Sequence, residues 1–163
     1  MLEKVVTCHS QMIRPFRSET ERYGEYSKAG EFVYDHPFQW GSKRTGPDLA
    51  REGTGNLKKS NAWHFNHMDE PSAISTGSVM PSYSFLIDNS LDTSTTATKI
   101  NAMRTLGVPY AIDFAEKANQ DLMKQASTIT ADLKKEGIEV APTKEIVALI
   151  AYLQRLGTDI NKK

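Results

Sequence analysis

Cys8 and His9 are adjacent, and no other pair in the 163-residue chain is as suggestive of chemistry. A cysteine followed by a histidine ends the C-x-x-C-H segment, in which two thiols add to the vinyl groups of haem and the histidine ligates iron from the proximal side. Val5 stands where the first of those thiols would be. The competing reading is a small buried cysteine beside a surface histidine. The pair is expected at the end of a first helix. Met80 offers a distal ligand, because it precedes Pro81 in a loop and lies off every periodic apolar face, where a core methionine belongs. A thioether is a soft, neutral ligand that favours reduced iron, so His/Met ligation raises the potential. Pro81 restricts the backbone before it and would fix the approach of the sulfur. His64 and His67 have a spacing that puts two imidazoles on one helical face. With only Asp69 and Glu70 nearby they read as a surface pair, a histidine metal-binding module being the other reading.

The elements that must position these groups differ along the chain. From Pro15 to about Asn89 turn signals recur, at Asp35-His36-Pro37, at Thr45-Gly46-Pro47-Asp48 and at Gly53-Thr54-Gly55, with little helical or strand periodicity. So long an irregular stretch usually wraps something functional, and an organic cofactor would supply the missing core. Beyond it three helices are expected. The first runs from Thr98 to Leu106 and stops at Gly107 and Pro109. The second opens on a capping box, Asp113 with Glu116, carries Ala115, Ala118, Leu122, Ala126, Ile129 and Leu133 on one face, and ends at Gly137. The third starts near Thr143 and bears the strongest stripe, Ile146, Leu149, Ile150, Leu153 and Leu156, up to Gly157. Ser90 to Thr98 reads as a solvated loop, and no strand pattern is present.

Composition removes several classes. Twenty basic and twenty acidic side chains, evenly spread, leave no basic face for phosphates, so nucleic acid is a poor partner. One cysteine makes neither an internal disulfide nor a four-thiolate zinc site. The longest apolar runs fall far below the ~20 residues of a membrane helix, and no signal-peptide core follows Met1. No nucleophile with a base at motif spacing and no phosphate loop appears, so an independent hydrolase or transferase is not expected.

The stretches Cys8 to Phe16 (CHSQMIRPF) and Ser18 to Arg51 (SETERYGEYSKAGEFVYDHPFQWGSKRTGPDLAR), then Trp63-His64, the Met80-Pro81 loop, Met103 to Tyr110 (MRTLGVPY) and Glu145 to Thr158 (EIVALIAYLQRLGT), resemble the mono-haem subunit of cbb3-type cytochrome c oxidases, CcoO or FixO. The resemblance covers nearly the whole chain and is weakest over Glu52 to Ser60 and Leu86 to Thr98. It implies a mostly α, class I-like cytochrome c domain with long haem-wrapping loops. It implies one haem c, with Cys8 as thioether attachment point, His9 as proximal ligand and Met80 as distal ligand. It also implies electron relay from a di-haem cytochrome c subunit to a haem-copper catalytic subunit that reduces oxygen to water, on the periplasmic face of the inner membrane. The chain itself would then relay electrons, and the oxygen chemistry would belong to a partner. Arg44 falls in the loop that lines the haem in that family and is either a propionate partner, since a guanidinium binds a carboxylate bidentately, or a solvated loop charge. Phe32, Tyr34, Phe38 and Trp40 suit a haem-pocket wall or simple packing alike.

One domain, 1–163, is expected: an attachment segment and first helix over 1–16, a loop-rich haem-wrapping part over 17–97 and a helical part over 98–163. The last helix would pack across an N-terminal one near the haem. The resemblance also implies a membrane anchor upstream of Met1, the chain being a soluble fragment. Val5 leaves three outcomes open: a single thioether through Cys8, non-covalent haem held by His9 and Met80, or a haem-free relative acting as a structural scaffold of the complex.

Overall fold

The computed structural model of the protein describes residues 7–38 and 44–159, so Val5, Trp40 and the segment before Thr7 lie outside the described residues. The chain is mostly α: seven α-helices and two 3-10 turns among the described residues, with a single isolated bridge between Ser90 and Lys144 as the only β pairing. No helix among the described residues is long and apolar enough to cross a membrane. Two compact units form, one from residues up to Lys59 together with the stretch from Leu153, the other from Ser60 to Tyr152.

Among the described residues up to Lys59 the first unit has an α-helix, α1 (Arg17–Tyr23), and 3-10 turns at Ala29–Phe32 and Gly55–Leu57. Helix α1 has Glu19 in its first turn and Arg22 in its last, matching the dipole, and ends at Gly24 with φ 97°. One apolar cluster among the unit's described residues is Ile13, Tyr23 and Ala50, with Leu57 packed against it. Polar groups fill much of the rest, since Ser10, Gln11, Glu19 and Asp48 are all buried. Backbone bonds join the loops, Ser27 N donating to Ile13 O, Leu49 N to Ser10 O and Gly53 N to Leu156 O. Gly53 makes the last of these approaches, because a Cβ there would run into the backbone carbonyls of Gln154 and Leu156.

The second unit contains α2 (Asn61–Asp69), α3 (Pro71–Ile74), α4 (Phe85–Asp88), α5 (Thr96–Thr105), α6 (Phe114–Lys135) and most of α7 (Glu145–Arg155). Ser60 Oγ caps α2 by accepting from Trp63 N, and α3 opens on Pro71, whose missing N–H costs nothing there. Helix α6 packs against both α5 and α2, and Asn61 donates to Asp132 at 2.9 Å. Ala118, Ala126, Ile129 and Leu133 of α6 and Ile146, Val147, Leu149 and Ile150 of α7 are buried. The start of α7 is tied to the turn after α4 by Leu91 N to Thr143 O and Glu145 N to Asn89 O.

Several expectations change. Thr7 and Cys8 form a turn and residues 9–16 are not helical, while the first helix expected before them lies outside the described residues. Helix α5 begins at Thr96, inside the stretch read as a loop, because three threonines hide a helix that buries no residue. The capping box does not form: Asp113 makes no side-chain cap bond and instead pairs with Lys117 one turn on, which holds the Asp113 carboxyl below its ordinary range. The region read as irregular also holds α1 to α4. Helix α2 escaped detection because its buried positions are Ala62, His64 and Met68, neither regularly spaced nor consistently apolar.

Candidate haem-ligand site

His9 is held from the segment 44–48. Its ring Nδ1 lies 2.8 Å from the carbonyl of Pro47. A carbonyl only accepts, so Nδ1 carries a proton, and in the neutral ring Nε2 then has the lone pair, the form in which histidine binds a metal. Such a bond from the far nitrogen fixes the tautomer and ring orientation of metal-bound histidines and raises their basicity. Gly46 makes room for the ring, since a Cβ there would overlap Cε1, Nδ1 and Nε2 of His9. The amides of Thr45 and Gly46 both donate to the carbonyl of Cys8, at 2.9 and 2.8 Å. Cys8 itself is a free thiol of intermediate exposure.

Beneath this loop lies a charged network. Arg44, its side chain 12% exposed, pairs with Glu19 and Asp48 at 3.1 Å each. Its Nε donates to Ser10 Oγ at 2.6 Å, one Nη reaches the carbonyl of Met12 at 3.1 Å, and the guanidinium stacks over the Tyr23 ring. Arg14 pairs with the same Glu19. Burial alone would raise the Glu19 carboxyl, but bonds from Arg14 and Arg44 outweigh it and hold the group below its ordinary range. Arg44 thus faces two carboxylates of its own chain, a pairing for which sequence offered no signal.

Met80 belongs to the second unit. Its loop is anchored on the end of α2: Tyr83 N donates to Met68 O and Ser82 Oγ to Asp69 O, at 2.8 and 2.7 Å. Met80 N donates to Ser78 Oγ at 3.2 Å. The side chain is half-buried, next to a Val79 that is 81% exposed. The loop is thus held on its C-terminal side and at Met80 itself.

The histidine pair is placed differently from its sequence reading. His64 is buried, 1% exposed, and not on the surface, while His67 stacks on Trp63 with ring centroids 4.5 Å apart. Among the described residues no three His, Cys, Asp or Glu side chains gather in a way that would hold a metal ion. Of the aromatics, Phe32 meets Phe38 at 4.5 Å between centroids, whereas Tyr34 is half exposed.

The donor set fits haem on its proximal side: a thiol, then an imidazole whose lone-pair nitrogen is set by a carbonyl and whose ring sits in a glycine cradle. A mostly α chain with that arrangement belongs to the cytochrome c class. The family of cytochrome c oxidase mono-haem subunits, FixO, matches residues 1–160, and the chain belongs to it. That family is a haem-containing one, and its members are subunits of cytochrome c oxidase complexes. No curated protein sequence matches the chain.

Proposed function

We propose that the chain is the electron-relay subunit of a cbb3-type oxidase, taking electrons from a di-haem cytochrome c subunit and passing them to the haem-copper catalytic subunit, at the periplasmic face of the inner membrane. The observation that carries this is the bond from His9 Nδ1 to the Pro47 carbonyl, which leaves Nε2 as a ligand nitrogen. A haem bound there supplies a one-electron couple. In this reading Cys8 gives the single thioether, His9 the proximal ligand and Met80 the distal one. Arg44 acts indirectly, by holding the loop that bears Gly46 and Pro47 against Ser10 and Met12. The single cysteine favours a second reading, a haem-free scaffold of the oxidase complex.

Met80 gives the test. In the oxidised, haem-loaded protein, Met80→Ala removes the weak sulfur-to-iron charge-transfer band. It also lowers the reduction potential by on the order of a few tenths of a volt, within the ~0.8 V that axial ligands command. Survival of the band in the variant contradicts Met80 as ligand.

A further inference from the structure

Asp48 is a fully enclosed charged side chain of the first unit, with no exposed side-chain surface. Its carboxylate collects four donors: Ser10 Oγ at 2.5 Å, Met12 N at 3.0 Å, Ala50 N at 2.8 Å and an Arg44 Nη at 3.1 Å. Two of them come from the segment just after His9, and Asp48 itself follows Pro47, whose carbonyl holds the His9 ring. The carboxylate therefore braces both ends of that bond, the chain that carries the imidazole and the chain that carries its acceptor. Ser10 is central to the brace, since its hydroxyl donates to Asp48 and accepts from Arg44 Nε at 2.6 Å.

We propose that Asp48, with Ser10, is a positioning residue that sets the His9 to Pro47 hydrogen bond and through it the electron density His9 gives a bound haem iron. The proposal rests on the haem reading above. A donor bond from Nδ1 makes Nε2 a stronger ligand and stabilises the oxidised iron, so loosening that bond raises the potential. The carboxylate needs no change of protonation for this role; it acts as a fixed acceptor whose four partners hold two loops in register.

The test uses the full chain with and without haem. In the haem-free protein, nitrogen NMR of the His9 ring follows its tautomer and the exchange of its Nδ1 proton. Asp48→Asn and Ser10→Ala are both expected to speed that exchange by about tenfold, the equivalent of one weakened hydrogen bond, and to shift the ring nitrogens toward a mixture of tautomers. The amides of Thr45 and Gly46, bonded to Cys8 O, report that the loop itself persists. In the haem-loaded protein both variants raise the reduction potential. Ser10→Ala separates positioning from a plain field effect, because it leaves the charge in place. Unchanged ring signals in Ser10→Ala, or a potential that moves in Asp48→Asn alone, overturns the proposal. Where Asp48→Asn fails to fold, Ser10→Ala decides by itself. A chain that takes up no haem refutes the haem reading, while the exchange rates still decide whether Asp48 and Ser10 set the ring.

Discussion

Exchanging Arg44 for methionine is expected to destabilise the first unit by about 3–5 kcal/mol, because it strands buried carboxylates that the guanidinium now compensates. Both partners are enclosed, Glu19 with 8% of its side chain exposed and Asp48 with none. Arg44 also bonds Ser10 and Met12, so its loss frees the segment after His9 as well as the segment of Pro47. Arg44→Lys keeps the charge and loses the fork, and should fall between wild type and the methionine variant. Urea denaturation followed by circular dichroism measures the difference. The sign with pH follows from Glu19, which burial alone would raise but which Arg14 and Arg44 hold below its ordinary value. The stability it contributes is fully present at neutral pH and is lost as the pH falls through that depressed value. In Arg44→Met part of this acid dependence disappears, and an unchanged acid profile would show that Arg44 does not hold Glu19.

Gly46→Ala is the second large effect, and it acts on the ligand more than on the fold. The new Cβ would overlap three atoms of the His9 ring, so the imidazole must swing away from the carbonyl of Pro47. The backbone beside Gly46 has no such conflict: the Gly46 amide donates to Cys8 O and alanine retains it. Loss of an outer partner of a metal-bound histidine typically weakens binding by roughly 10–100-fold, and displacement of the ring should sit at the upper end. Because the thioether through Cys8 retains the haem in either case, the denaturant concentration at which histidine ligation disappears from the haem spectrum gives the number, and a wild-type midpoint in Gly46→Ala would mean that His9 is not the ligand.

The legible parts of the chain were those where chemistry and spacing are local. The apolar stripes of α6 and α7 follow directly from residues three and four apart, and those helices appear within two residues of their expected ends. Helices α1 and α2 were not legible, because each buries polar with apolar residues: Glu19 beside Tyr23, and His64 between Ala62 and Met68. Cys8, His9 and Met80 were singled out by their own side-chain chemistry. What holds them was hidden, since the Pro47 carbonyl and Asp48 lie 38 residues from His9 and Ser10, and a backbone acceptor leaves no trace in residue type. Gly46-Pro47-Asp48 was visible only as a turn. That its glycine cradles an imidazole and its aspartate clasps a serine depends on pairing across the loop, which local spacing does not encode.

The central claim is that this chain carries haem on Cys8 and His9 despite having one cysteine. Its most direct measurement is an absorption spectrum with a pyridine haemochrome assay, on protein produced together with the c-type maturation machinery. The account predicts a Soret band and a haemochrome α band displaced from the ordinary c-type position, as one saturated vinyl group requires, with the haem surviving acid-acetone extraction. A folded, helical protein with no Soret band would contradict it and leave the scaffold reading.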